Sequence, residues 1–216
     1  MNPDEGRPPM MFEDRGGYSI AERKAVEELS LVDPVDVAVE KGVRFDGGRK
    51  VFSIPFLGDT MSVSFPGGEV VARGGKVSGA AAVLALHYLI YHGDPLRADG
   101  WLAYRDMPGA RHFASAFEAM TESRIALHFG NRVSDFSEAA RSLGGEPGEV
   151  GECSFVVPAL PRIPLLIVFW PGCEDWAGSA RILFLPSAPY YYHSEDLAAL
   201  GVVAAERLIE ADERSG

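Results

Sequence analysis

The chain has 216 residues, of which 47% are hydrophobic and 24% are charged. This length and composition predict a single globular domain that buries its own core. The formal net charge of −11 disfavours binding to nucleic acids and to anionic membrane surfaces, because both are recognised through clustered lysine and arginine. Two cysteines are too few for a disulfide scaffold, and no apolar run reaches the ~18 residues of a membrane span. We therefore predict a cytoplasmic protein.

The first half of the chain predicts helices on either side of a strand-rich block. Residues 1–17 are acidic and rich in proline and glycine, which predicts a flexible tail. A capping box at Ser19 begins one helix, and Asp33, followed by proline, begins a second. An alanine- and leucine-rich helix over 78–92 is apolar on nearly all sides and is predicted to be central and buried. The strands between them form an antiparallel meander with glycine-containing turns, and they are predicted over 43–45, 51–56 and 61–65.

The second half runs from helices back to strands and ends in a helix. Ser194 begins that last helix, which extends to about Ala211, and residues 211–216 form a second flexible tail. Because strands and helices do not alternate one by one, we predict an α+β fold over residues 18–210, with one mostly antiparallel sheet of about 6–8 strands and helices packed on it. The remaining elements are helices over 111–120, 123–129 and 133–143, and apolar strands over 154–157, 165–170 and 180–185.

A series of short stretches along the chain carries a resemblance to one family. The stretches are Phe56-Leu57-Gly58, Leu86-His87-Tyr88-Leu89, Gly100-Trp101, Tyr104-Arg105-Asp106-Met107-Pro108-Gly109, His128-Phe129-Gly130, Leu143-Gly144-Gly145, Leu160-Pro161-Arg162-Ile163-Pro164-Leu165, Trp170-Pro171-Gly172 and Ser194-Glu195-Asp196-Leu197. In this order they resemble the uncharacterised prokaryotic family catalogued as domain of unknown function 3786. Some members of that family carry an added iron–sulfur module, so the resemblance implies a role in anaerobe-type metabolism. It implies no catalytic residue, and this chain has no cysteine cluster to bind such a cofactor itself.

Two histidines are the candidates for catalysis. His87 lies in the middle of the apolar helix, and His128 lies near the end of a later helix. A neutral imidazole at either position can act as an acid or a base, whereas the simpler interpretation is a buried histidine that hydrogen-bonds to a neighbour. The spacing of His87, His128 and His193 does not match a metal-ligand motif, so we predict no metal site.

Arginines in two polar loops are candidates for ligand binding. Trp101, Arg105 and Asp106 lie in one segment, where the Arg105 guanidinium suits a carboxylate or phosphate and Asp106 would orient it. Arg162 lies on a turn flanked by two prolines. In both loops the alternative is that the arginine only stabilises the loop.

Aromatic residues in two further loops complete the predicted ligand site. Trp170 and Glu174 belong to a loop with two indoles and two carboxylates, and Tyr191 belongs to a run of three tyrosines. Such loops often carry function when strands hold them in place. Their rings either line a pocket or pack the loops onto the core.

Three functions are compatible with these features. The favoured one is a binding or accessory protein that holds a small molecule or a cofactor-bearing partner, since no familiar nucleophile or metal motif is found in the sequence. The second is an enzyme with His87 or His128 as acid or base and Arg105 as a clamp for a carboxylate. The third is a structural or interaction protein, such as a homodimer formed through a sheet edge or an aromatic patch.

Overall fold

The computed structural model describes residues 17–72, 75–77 and 79–214. The predicted tail over 1–17 lies almost entirely outside these ranges. Helix α1 (Gly17–Leu29) is followed by α2 (Pro34–Lys41). The Asp33 carboxylate accepts hydrogen bonds from the first amides of α2, 2.8 Å from the nitrogen of Val35, as expected for an N-cap. Gly42 ends α2 in the left-handed conformation, with φ of 67°.

The first sheet is a meander in which each strand pairs antiparallel with the next. Alternating side chains of its second and third strands, among them Phe52, Ile54 and Val63, are fully buried, because one face of the sheet packs on the core. Its five strands are β1 (Arg44–Asp46), β2 (Val51–Phe56), β3 (Asp59–Ser64), β4 (Val70–Ala72) and β5 (Gly75–Lys76).

Helix α3 (Ala80–Ile90) is the predicted central helix, and its burial is confirmed. Tyr88 is fully buried and donates a hydrogen bond of 2.6 Å to the carbonyl of Lys41. The Lys41 side chain is itself buried, and its Nζ donates to the carbonyl of Tyr91 over 2.7 Å. These bonds attach the end of α2 to the end of α3.

The strands of the second sheet are β6 (Leu102–Ala103), β7 (Glu146–Pro147), β8 (Cys153–Leu160), β9 (Ile163–Trp170) and β10 (Ser179–Phe184). Their spatial order is β6-β10-β9-β8-β7, and all the pairs are antiparallel. Helices α4 (Ala114–Met120), α5 (Glu122–Phe129) and α6 (Val133–Ser142) lie between β6 and β7 in the chain, and α7 (Ala188–Tyr191) and α8 (Ser194–Glu213) follow β10.

The α+β class and the antiparallel pairing are confirmed, but the strands form two sheets rather than the single sheet expected. The strands of the first sheet pair in chain order, whereas the second sheet forms after α3 and pairs β6 with β10 across the intervening helices. The Leu57 amide, in the turn between β2 and β3, donates to the carbonyl of Ala159 in β8 over 3.2 Å. Helix α8 continues to Glu213, two residues past the expected end. None of the helices in the described ranges is long and apolar enough to cross a lipid bilayer.

Candidate functional site

A wide groove of about 1060 Å³ lies between α5 and the loop that joins β9 to β10. Two large apolar side chains on its walls are exposed: Leu127 of α5 at 86% and Trp176 of the loop at 77%. Most exposed aliphatic residues need no explanation, but an exposed indole beside an exposed leucine in a concave surface is typical of a binding site. We call this site the α5–hairpin groove.

The loop of the groove is held in place by close backbone contacts. The Gly172 amide donates to the carbonyl of Gly130 at the end of α5 over 3.0 Å. A Cβ atom on Gly178 would lie 2.9 Å from that same carbonyl oxygen, so only glycine permits this approach. Between these glycines, Cys173 and Trp176 exchange backbone hydrogen bonds of 2.9 and 3.3 Å, which close a tight turn at the tip. The backbone position of Trp176 is therefore fixed by the turn and by the attachment of the loop to α5.

The floor of the groove carries a partly buried ion pair. Glu122 is 5% exposed, and its carboxylate bonds to the Arg181 guanidinium and accepts the Ile182 amide over 3.0 Å. Burial raises the pKa of Glu122, while the Ile182 amide and Arg181 act in the opposite direction. The Ile182 amide needs this acceptor because β6 pairs only with Leu183 and Phe184 of β10. Glu122 thus completes the edge of the sheet where the neighbouring strand ends.

The charges of the groove are predominantly negative. Glu118 lies 3.5 Å from Arg181, and Glu174, which the sequence analysis selected, lines the rim. Among the described lining residues, three carboxylates therefore face one guanidinium. Such a site favours a cationic ligand over an anionic one.

A second pocket, of about 480 Å³, lies between α1, the end of α3 and the start of α8. It is lined by three histidines, His87, His92 and His193, together with Tyr91. Nδ1 of His87 is 2.9 and 3.0 Å from the two carboxylate oxygens of Asp196. We call this site the His87 pocket. Within the described ranges, no three histidine, cysteine or acidic residues are arranged to hold a metal ion.

The other catalytic candidate, His128, lies in a different environment. Its Nε2 is 2.7 Å from Asp212 of α8, and Arg132 donates to the same carboxylate over 3.1 Å. Arg132 also donates to the carbonyl of His128 over 2.7 Å. The interactions of His128 therefore attach α5 to α8.

The predicted ligand-binding arginines are separated in the structure. Arg105 and Asp106 are exposed and line a cleft of about 400 Å³ with Arg111 and His112. Arg162 instead lies at the β8–β9 turn, where its Nε donates to the carbonyl of Glu40 over 3.2 Å. Arg162 thus satisfies a backbone acceptor at the end of α2.

The predicted aromatic residues are also distributed over several elements. The Tyr191 ring lies 5.3 Å from Nζ of Lys41, near the same end of α2. Trp170 ends β9 opposite Ser179, and Trp101 is partly buried just before β6. Of the seven residues selected from the sequence, Glu174 lines the α5–hairpin groove.

Several residues of these sites were not identified by sequence reasoning. Arg181 is a single charge in an otherwise apolar strand, and the period of two of β10 was the available signal for an outward-facing residue. In the sequence, Asp196 is one of two acidic residues in the first turn of α8, where negative charge suits the helix dipole. Its pairing with His87 joins residues 109 positions apart, which no local pattern indicates.

Comparison with known proteins yields one match. A family model described as Domain of unknown function (DUF3786) matches residues 33–207, which include all of the α5–hairpin groove and His87 with Asp196. No curated protein and no solved structure matches the chain.

Proposed function

This chain belongs to the family described as domain of unknown function 3786, a name that assigns no activity, and we propose that it is a binding protein. Its ligand is a small organic molecule, either free or carried as a cofactor by a partner protein. The binding site is the α5–hairpin groove. The single observation that carries this proposal is the exposure of Trp176 and Leu127 on the walls of a groove whose floor is charged.

The groove suits a ligand with a flat apolar part. Its volume of about 1060 Å³ accommodates a molecule of metabolite or cofactor size. The Trp176 indole offers an exposed face for stacking, on a loop whose backbone is held by the turn between Cys173 and Trp176. Burial of an indole and an aliphatic side chain supplies most of the binding free energy in sites of this kind.

The same groove favours a positive charge on the ligand. Glu118 and Glu174 add negative charge beside the Glu122–Arg181 pair. A cation placed over the Trp176 ring gains in addition from the negative face of the indole. We therefore propose an aromatic or heteroaromatic cation as the class of ligand.

A matched set of probes tests this proposal. Ligand-observed NMR would compare benzylammonium, benzyl alcohol and benzoate, which share a ring and differ in charge. We expect affinity to fall in that order. We also expect Trp176→Ala to weaken benzylammonium binding about fivefold, which corresponds to about 1 kcal/mol of cation–π and apolar contact.

Variants of exposed leucines distinguish binding in the groove from non-specific binding to the protein surface. Leu127→Ala should weaken binding, whereas Leu31→Ala, which removes a leucine of similar exposure (84%) on another surface, should not. Equal binding of benzoate and benzylammonium, or unchanged affinity in Trp176→Ala, would refute the proposed site.

A further inference from the structure

The His87 pocket contains a histidine whose surroundings resemble those of a general base. His87 lies on α3 and lines the pocket, with 25% of its side chain exposed. Asp196, which is 7% exposed, approaches the ring from the first turn of α8. The pair is thus buried on the Asp196 side and open on the pocket side.

The carboxylate determines which ring nitrogen carries the proton. Both oxygens of Asp196 lie within 3.0 Å of Nδ1, and an ionised carboxylate only accepts hydrogen bonds. The neutral imidazole therefore has its proton on Nδ1 and a lone pair on Nε2. No described residue forms a hydrogen bond with that Nε2, so the lone pair is available to a molecule in the pocket.

We propose that Nε2 of His87 accepts a proton from a neutral molecule with a hydroxyl group or a similar weakly acidic group, bound in the His87 pocket. In this step the O–H bond of the bound molecule breaks, its electron pair stays on oxygen, and an N–H bond forms at Nε2. The resulting imidazolium is stabilised by the Asp196 carboxylate, as in other carboxylate–histidine pairs. This proposal concerns a different pocket from the α5–hairpin groove and does not depend on it.

The wall of the pocket supplies a hydrogen-bond donor. Tyr91 is the first residue after α3, and its ring packs against His193 with 3.9 Å between centroids. Burial, together with the carboxylates of Asp196 and Asp94, raises the pKa of Tyr91, so its hydroxyl stays protonated. A protonated hydroxyl therefore belongs to one of the residues that line the pocket with His87.

The contrast with His128 shows why His87 is selected. In His128 it is Nε2 that contacts a carboxylate, and that carboxylate also accepts from Arg132. A guanidinium that shares the carboxylate reduces its ability to stabilise an imidazolium. His92 also contacts a carboxylate through Nδ1, that of Glu40 over 3.1 Å, but Glu40 is shared with Lys41 over 2.9 Å. Among the described residues, Asp196 has no lysine or arginine bound to it and leaves Nε2 of His87 free.

Reaction with diethyl pyrocarbonate measures whether the lone pair is available. Nε2 attacks a carbonyl carbon of the reagent, an N–C bond forms, and the displaced ethyl carbonate decomposes to ethanol and carbon dioxide. Rates for each histidine would be followed by peptide mass spectrometry at neutral pH. We expect His87 to react although it is mostly buried, and Asp196→Asn to slow it about tenfold or more, because an amide can donate to Nδ1 and move the ring proton to Nε2.

His112, an exposed histidine in another cleft, is the internal control and should react equally in both proteins. Nitrogen-15 NMR of the unaltered protein gives a readout that needs no variant and should show a proton on Nδ1 and none on Nε2 of neutral His87. An unreactive His87, a rate unaffected by Asp196→Asn, or a proton found on Nε2 would each overturn the proposal.

Discussion

Replacement of Glu122 tests whether its carboxylate completes the edge of β10. In Glu122→Ala the Ile182 amide loses an acceptor at 3.0 Å. Arg181 loses its buried partner and keeps Glu118, whose side chain is 56% exposed. An unsatisfied buried amide costs about 1–3 kcal/mol, and loss of the partly exposed ion pair adds about 1 kcal/mol. We therefore expect the free energy of unfolding to fall by about 2–4 kcal/mol.

Two further variants separate the hydrogen bond from the charge. Glu122→Gln keeps an oxygen for the Ile182 amide and avoids burial of a charge, so we expect a loss below about 1.5 kcal/mol. Glu118→Ala removes only the exposed partner of Arg181 and should cost less than about 1 kcal/mol.

Urea unfolding followed by circular dichroism would measure the three values, with an unchanged m-value showing that the unfolding reaction is the same. A loss in Glu122→Ala no larger than that in Glu118→Ala would refute the assignment of Glu122 to the sheet edge.

Three other substitutions have outcomes set by single contacts. Burial raises the pKa of Tyr104 to about 12. The contribution of this residue to the free energy of unfolding is therefore fully present below pH ~10 and is lost as the pH rises toward 12. We expect Tyr104→Phe to remove this pH-dependent loss, which amounts to about 2–3 kcal/mol, when the free energy of unfolding is measured as a function of pH. A Cβ on Gly201 would overlap the ring of Phe117, so Gly201→Ala should lower stability by about 1–3 kcal/mol, and adding Phe117→Leu should restore part of it; additive losses would contradict this. Lys41→Met leaves the carbonyl of Tyr91 without its 2.7 Å donor and should cost about 1–3 kcal/mol in urea unfolding, whereas an unchanged midpoint would show that the bond is dispensable.

Local patterns along the chain predicted the helices well. The apolar run of α3 predicts that helix, and the proline after Asp33 predicts the start of α2. Both predictions need only local sequence, because helix formation depends on residues a few positions apart. Six of the strands were also predicted, but their division into two sheets was not. That division depends on pairings between distant segments, such as Ala103 with Leu183, which no local pattern indicates.

The candidate sites were predicted less completely than the fold. The loop with Glu174 is predicted from its indoles and carboxylates, and one of each, Trp176 and Glu174, lines the groove. Arg162 was selected on equal grounds, yet it binds backbone carbonyls at the end of α2. The sequence does not distinguish a ligand-binding arginine on a turn from one that binds the backbone. For Arg162 the acceptor is a carbonyl 122 residues away in the chain.

The covering of the β10 edge has a consequence for self-association. An unpaired strand edge is a template onto which another chain can add a strand, which leads to aggregation. At Ile182 the outward amide is already bonded to a carboxylate, and a buried negative charge at that point repels an incoming backbone carbonyl. The residue that shapes the floor of the groove thus also blocks strand addition at this point of β10.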